Sequence, residues 1–355
     1  MLSSVDSHMG SINLSSPLAI VLVILGLGLL MVIHESGHYF AARFFGMRVT
    51  KFSIGMPPVL FRLQPKDSPT TFQIGAIPFM AYVQIAGMNP LEEQDKKDKG
   101  SYANASLLGR IVTIFAGSFA NYLVASLLFF VSLMVTGERI PTTRIEPMPD
   151  TPAAKAGFLA GDKVVEVEGV AVKEWDEFRK AVSARPDQLT HVVVERNGER
   201  LTLEVTPKKE GDQGRIGARY IEDTRPMEVK KALKASAMLP PMVVTELVRG
   251  VIRMVKDRKL ELGGPVAIAK EGARAVNRGM GDYLWFLAII SANLAGFNLL
   301  PFPALDGGRL LFLGYEAVSR RRPDAMVEAQ VHVVGLFMLL ALMVFVTFGD
   351  VMGRH

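Results

Sequence analysis

His34-Glu35-Ser36-Gly37-His38 ends an apolar run that extends from Leu18 to Ile33, long enough to enter a lipid bilayer. On a helix, residues four apart project from one face, so His34 and His38 can grip one metal ion while Glu35 reaches a water on that ion. Neutral imidazoles suit zinc, and catalytic zinc usually takes three protein ligands and keeps its fourth position open. The same five-residue pattern also arises incidentally on soluble helices. Here two histidines and a carboxylate near the end of a lipid-buried helix would each cost roughly 2 to 4 kcal/mol if unpaired, so they are expected to have a partner or a task. The stretch points to metal-assisted hydrolysis carried out at membrane depth.

Outward from this motif, composition sets the fold class. The chain is 49% hydrophobic with a mean hydropathy of +0.26, high for a sequence that also carries 20 prolines and 32 glycines. The excess lies in four stretches able to cross about 30 Å of hydrocarbon, 17–45, 107–136, 283–306 and 327–349. The expected fold is a polytopic α-helical membrane protein with four transmembrane helices. The tail 1–16 is set aside: Ser7-His8-Met9 reads as a cloning remnant, and His8 is not counted toward the metal.

Charge distribution orients the chain. Arg43, Arg48, Lys51, Arg62, Lys66, Lys96, Lys97, Lys99 and Arg110 flank or fill the loop 46–106, Arg309 and Arg320 to Arg322 lie in 307–326, and the first 16 residues contain no Lys or Arg. By the positive-inside tendency both loops are cytoplasmic, and the polar segment between the second and third spans is outside. The net charge of +5 is thus a topology signal, and with no basic patch interleaved with aromatics, nucleic acid is not an expected partner. The sequence has no cysteine, which excludes disulfides and thiolate ligands.

The third ligand has to reach the depth of His34, roughly 24 Å below Leu18 along a helix. The third span runs in the same direction and ends in Asn298-Leu299-Leu300-Pro301-Phe302-Pro303-Ala304-Leu305-Asp306-Gly307-Gly308. Two prolines and two glycines break the helix there, and irregular backbone at that depth is tolerated only when packed in protein or lining a cavity. Asp306 is the candidate ligand; a cap on a helix beginning near Gly307 is its plainer role. His332, near the start of the fourth span, is the competing ligand. Asn298 can hold substrate backbone or a scissile carbonyl, or make an interhelical hydrogen bond as Asn121 and Asn293 also can.

The HESGH motif at 34–38 and NLLPFPALDGG at 298–308 together resemble the site-2 protease family of intramembrane zinc metalloproteases. Gly264-Pro265-Val266-Ala267-Ile268-Ala269-Lys270 and the run Phe286 to Asn298 further resemble its bacterial branch, typified by the regulator of sigma-E protease. The resemblance implies one zinc ion held by His34, His38 and Asp306, Glu35 as general base, and Asn298 assisting substrate or transition state. It also implies a multi-pass protein of the bacterial inner membrane, with the active site toward the cytoplasm. The implied substrates are single-span membrane proteins, such as anti-sigma factors already cut outside or remnant signal peptides. Relatives in that branch often carry two tandem PDZ domains, and this chain has room for one.

The polar segment fits one such module over 137–210. Asp150 to Asp162 precedes an alternating strand from Lys163 to Glu168, a helix near Trp175 to Ser183, and a hairpin from His191 to Val205 turned at Asn197-Gly198. This order looks like a bacterial PDZ domain, which either captures a peptide C-terminus or caps the site against bulky proteins. Residues 211–282, interrupted by Pro240-Pro241 and Gly263-Gly264-Pro265, read as a linker with short interfacial helices.

In the inner loop, Thr71 to Ala86 alternates and is unusually apolar, and Lys51 to Leu63 can partner it as a re-entrant β-hairpin. Gly75, Ala76, Ile77 and Pro78 are its candidate substrate-binding residues, offering an edge for an unwound substrate; a hairpin resting on the bilayer surface is the alternative. A PDZ-bearing membrane scaffold, a zinc peptidase acting on prenylated termini and a zinc transporter are the competing functions. Metal-dependent turnover separates the first from a protease, the absence of a PDZ insertion and of the Asp306 motif marks the second, and metal flux the third.

Overall fold

The computed structural model describes residues 17–89, 97–257 and 264–352. The tail 1–16 and Gly263 of the expected second break lie outside them. The chain divides into two compact units, one built from 1–135 and 228–355 and the other Thr136–Met227.

In chain order the first elements are α1 (Pro17–Phe44), β1 (Val49–Leu63), β2 (Thr71–Ile85) and α2 (Leu107–Thr136). Then come β3 (Glu138–Pro147), α3 (Pro152–Lys155), β4 (Lys163–Val167), β5 (Val170–Ala171) and α4 (Trp175–Ser183). They are followed by β6 (Thr190–Arg196), β7 (Glu199–Val205), β8 (Lys208–Glu210), β9 (Gln213–Arg215) and β10 (Ala218–Arg225). The remaining elements are α5 (Val229–Asp257), α6 (Pro265–Arg278), α7 (Met280–Asn298), α8 (Asp306–Ser319) and α9 (Ala325–Met352).

In the helical unit, α1 buries Ala19, Val23, Gly26, Leu30, His34, His38 and Ala42, a stripe at steps of three and four residues that puts one face inward. Leu18, Ile20, Val21, Ile24, Leu25 and Leu29 lie exposed on the other face, as a lipid-facing surface would. The stripe packs on α6 and α7 through Ala273, Ala275, Val276, Phe286 and Leu287. Because lipid competes with apolar packing, polar crosslinks matter. Ser132 Oγ donates to Gly281 O at 2.7 Å, Tyr283 Oη to Leu22 O at 2.6 Å, and Ser291 Oγ to Asn121 O at 2.8 Å.

Among the described residues five helices, α1, α2, α5, α7 and α9, are long and apolar enough to cross a membrane, one more than expected. The addition is α5, which does not break at its prolines as expected but runs through Pro240 and Pro241 as one helix. Proline lacks the N–H that would bond the carbonyl four residues back. The carbonyl that Pro241 leaves open, on Ala237, accepts from the Tyr122 hydroxyl at 3.5 Å. The third expected span, 283–306, is shorter as a helix: α7 ends at Asn298, and the prolines that follow carry irregular backbone.

The expected hairpin is present, with β1 and β2 antiparallel and joined over 64–70. α9 is attached through Gly335 and Asp350. Gly335 packs against Pro303, and Asp350 accepts from Gly264 N and Ala267 N, both at 3.1 Å, capping α6 from across the unit.

The Thr136–Met227 unit is a sheet in the order β10-β3-β4-β6-β7, with β5 paired to β4. Ile145, Phe158, Val164, Phe178, Val192 and Val194 fill its core. The hairpin β6–β7 turns at Asn197-Gly198, both at positive φ, as its sequence predicts. The unit extends past the expected boundary at 210, because β10 pairs with β3 along the sheet edge. Among the described residues its one fully covered charge is Asp162, 1% exposed and bonded twice by Arg196 at 2.7 Å. Burial raises the pKa of Asp162, but Arg196 and the Leu159 N–H outweigh it and hold it below the usual carboxylate range.

Candidate metal centre

One turn of α1 places His34 and His38 side by side, with their Nε2 atoms 3.2 Å apart. Asp306 Oδ2, from the first residue of α8, lies 3.3 Å from each. Tetrahedral zinc with bonds of about 2.0 to 2.1 Å requires ligand atoms about 3.3 Å apart, which is the triangle these three atoms make. The donor types fit as well: two buried imidazoles and a carboxylate oxygen that is buried and accepts no hydrogen bond. The group His34, His38 and Asp306 can therefore hold a metal ion.

The surrounding residues fix these ligands. His38 Nδ1–H donates to Thr113 O of α2 at 2.8 Å, which leaves Nε2 with its lone pair toward the triangle. Asn121, also on α2, sits 3.3 Å from His34 Nδ1 through Nδ2, while its Oδ1 is buried without a partner. A half-turn of the amide exchanges the two atoms. His34 Nδ1–H then donates to Oδ1, and Nε2 is free for metal.

Close approach of α1 and α2 depends on two glycines. A Cβ on Gly37 would collide with Ala116 O, and one on Gly117 with His38 Nε2.

The chain before Asp306 explains its composition. Ala304 takes a left-handed conformation, φ 71°, and its N–H donates to His332 Nδ1 at 2.9 Å. A side chain on Gly307 would strike Leu300 O, and one on Gly308 would strike Phe302 O. The two glycines thus let the segment fold back and present Asp306 to α1. α8 begins at Asp306, next to the expected start near Gly307, but its N-cap is Leu305 and Asp306 is its first residue. His332, the competing ligand, holds this turn and is not part of the triangle.

Glu35 points to the hairpin, where its Oε2 accepts from Val83 N of β2 at 3.0 Å. Asn298, the last residue of α7, places Nδ2 3.4 Å from His34 Nε2. His34, Glu35, His38, Asn298 and Asp306 are thus brought together. Gly75 and Ile77 pair instead with Val59 and Met56 on β1, and Val83 of β2 bonds to this group through Glu35. Sequence reasoning passed over Thr113, Gly117 and Val83, and took Asn121 for a packing residue. The G-x-x-x-N spacing from Gly117 to Asn121 was the available signal: small and amide groups on one helix face.

The sequence profile of peptidase family M50 matches residues 22–342. A protein of Clostridium perfringens is 30% identical over 337 residues, covering 94% of this chain and 98% of its own length. One from Agrobacterium fabrum is 31% identical over 363 residues, covering 94% and 95%, and one from Fusobacterium nucleatum is 30% identical over 347, covering 93% and 98%. All three are named as zinc metalloproteases. With a two-histidine, one-aspartate triangle among long apolar helices, the chain belongs to peptidase family M50, the site-2 proteases, and is a multi-pass membrane zinc metallopeptidase.

Proposed function

We propose that this protein hydrolyses peptide bonds within the membrane-spanning segments of single-span proteins, with His34, His38 and Asp306 as zinc ligands and Glu35 as general base. The observation that carries the reading is the triangle of ligand atoms 3.2 to 3.3 Å apart, set in an apolar helix with Glu35 beside it. His34, His38 and Asp306 would hold the zinc ion, which would supply Lewis acidity for activating water and polarising a carbonyl. Glu35 takes the proton of the attacking water and passes it to the leaving amine. Asn298, beside His34, donates its amide N–H groups to the scissile carbonyl.

A membrane helix hides its carbonyls in internal hydrogen bonds, so a substrate has to unwind before it can be cut. The hairpin β1–β2, read as re-entrant, supplies replacement bonds by strand addition along Tyr82 to Ile85 of β2, since Gly75 and Ile77, in the stretch 75–78 expected to receive the strand, are paired with β1. Four spans, α1, α2, α7 and α9, with α5 lying at the membrane interface, cytoplasmic placement of the hairpin and an inner-membrane location complete this arrangement. Anti-sigma factors trimmed outside and remnant signal peptides are the fitting substrates.

The Thr136–Met227 unit is read as a single extracytoplasmic PDZ domain that binds a peptide C-terminus. What favours binding over a purely steric role is a cavity of about 820 Å³ lined by β3, β10 and the start of α4, including Arg144, Trp175, Arg179 and Tyr220, beside the unpaired edge of β10.

The test is mass spectrometry of a single-span substrate incubated with wild type and with Glu35→Gln. Wild type cuts within the span, while the variant keeps its zinc and loses at least about 10³-fold in rate. Cleavage at the wild-type rate by Glu35→Gln removes Glu35 as the base.

A further inference from the structure

We propose that the main-chain N–H of Val83 is a shared donor: in the free protein it holds the Glu35 carboxylate, and an incoming substrate strand takes it over and so releases the base. The inference rests on the reading above that substrate is received in extended form. It starts from the 3.0 Å hydrogen bond between Val83 N and Glu35 Oε2. In an antiparallel strand the N–H and C=O of one residue point to the same side, and those of Val83 point away from β1. They form the edge a further strand would use, and the N–H is already occupied by the catalytic carboxylate.

Space for that strand lies alongside. A cavity of about 430 Å³ is lined by the consecutive residues Tyr82, Val83, Gln84 and Ile85 and, opposite them, by Arg309, Glu328 and His332. That volume is within the range of about 300 to 1,000 Å³ that ligand pockets occupy. The two walls lead to the two halves of the metal centre. Val83 is tied to Glu35, and His332 is tied to Ala304, two residues before Asp306. An extended chain entering here needs one donor and one acceptor from every second residue of β2. Its carbonyl replaces the carboxylate on Val83 N–H, and Glu35 becomes free to face the attacking water. No covalent bond changes in this exchange.

Two inactive variants of the full chain in lipid nanodiscs test the proposal, since both remove the charge of Glu35 and differ in one acceptor. Glu35→Gln retains an amide oxygen for Val83 N–H, and Glu35→Ala leaves that N–H open. The probe is a fluorescent single-span peptide. Glu35→Ala is expected to bind it about fivefold more tightly than Glu35→Gln, the scale of one net hydrogen bond. Hydrogen exchange over 81–85 is expected to be faster in Glu35→Ala than in Glu35→Gln, and to slow again when peptide is added.

Equal affinities and equal exchange in the two variants overturn the shared donor, even where wild type cuts the peptide. A wild type that neither binds nor cuts any single-span peptide removes the functional reading and this proposal with it.

Discussion

α1 and α9 are each 28 residues long, with mean hydropathies of 2.6 and 2.5 in their most apolar windows, yet a third of that window is buried in α1 and 11% in α9. Hydropathy measures readiness to enter lipid and says nothing about which helix is wrapped by protein. Small and polar residues make that distinction. α1 carries Ala19, Gly26, Gly37 and two histidines along one stripe, so neighbouring helices come close and both histidines meet partners on α2. α9 exposes Val333, Leu336, Phe337, Leu340, Val344 and Phe348 around its surface and is held through His332, Gly335 and Asp350. A covered face is paid for with precise partners; an uncovered one asks only for length and grease.

Four measurements press on this contrast. The largest effect is expected from Gly117→Leu, because a side chain there strikes both imidazoles and forces α2 off α1. Zinc content by elemental analysis falls to background and cleavage is lost, whereas the matching change Gly314→Leu, at an open position on α8, retains zinc. Next, Asn121→Ala removes the partner of His34 Nδ1 and weakens zinc affinity by about 10- to 100-fold in competition with a chelator, as losses of such supporting partners do.

Asp162 carries the same contrast out of the helical unit. Asp162→Asn leaves Arg196 without its counter-charge and destabilises the Thr136–Met227 unit by about 2 kcal/mol at pH 7, read by hydrogen exchange across β4 and β6. The folded-state pKa of Asp162 is depressed, so its contribution is complete above the unfolded value of about 3.9 and vanishes as pH falls through the folded value. The gap between wild type and Asp162→Asn therefore closes on acidification below about pH 4. Last, Leu30→Ala in α1 lowers thermal stability by about 2 kcal/mol, since its neighbours only partly fill the hole. Leu340→Ala in α9, where the side chain already faces outward, changes it by less than about 0.5 kcal/mol. Equal losses at the two leucines dissolve the comparison.

What the sequence disclosed was local. The spacing of His34 and His38, the breakers around Asp306 and the alternation of 71–86 each lie within sixteen residues and carry their geometry with them. What it concealed was set by contacts between distant helices. Thr113 and Asn121 meet the histidines only because Gly37 and Gly117 let two helices cross closely, and no residue on α1 announces which carbonyl or amide will arrive. Pro240 and Pro241 read as a break because proline's missing N–H weighs heavily in water; the hydroxyl of Tyr122, over a hundred positions earlier, answers for one of the freed carbonyls. β10 falls within the expected linker 211–282, since Glu222, Asp223, Thr224 and Arg225 follow Tyr220-Ile221 and blur the alternation of an edge strand.

The carboxylate of Asp350 carries a consequence for biogenesis. The amides of Gly264 and Ala267 leave the ribosome 86 and 83 residues ahead of the group that satisfies them. Until the final helix has been threaded into the bilayer, the start of α6 has to borrow water or lipid oxygens, and truncation anywhere before residue 350 leaves that loan permanent.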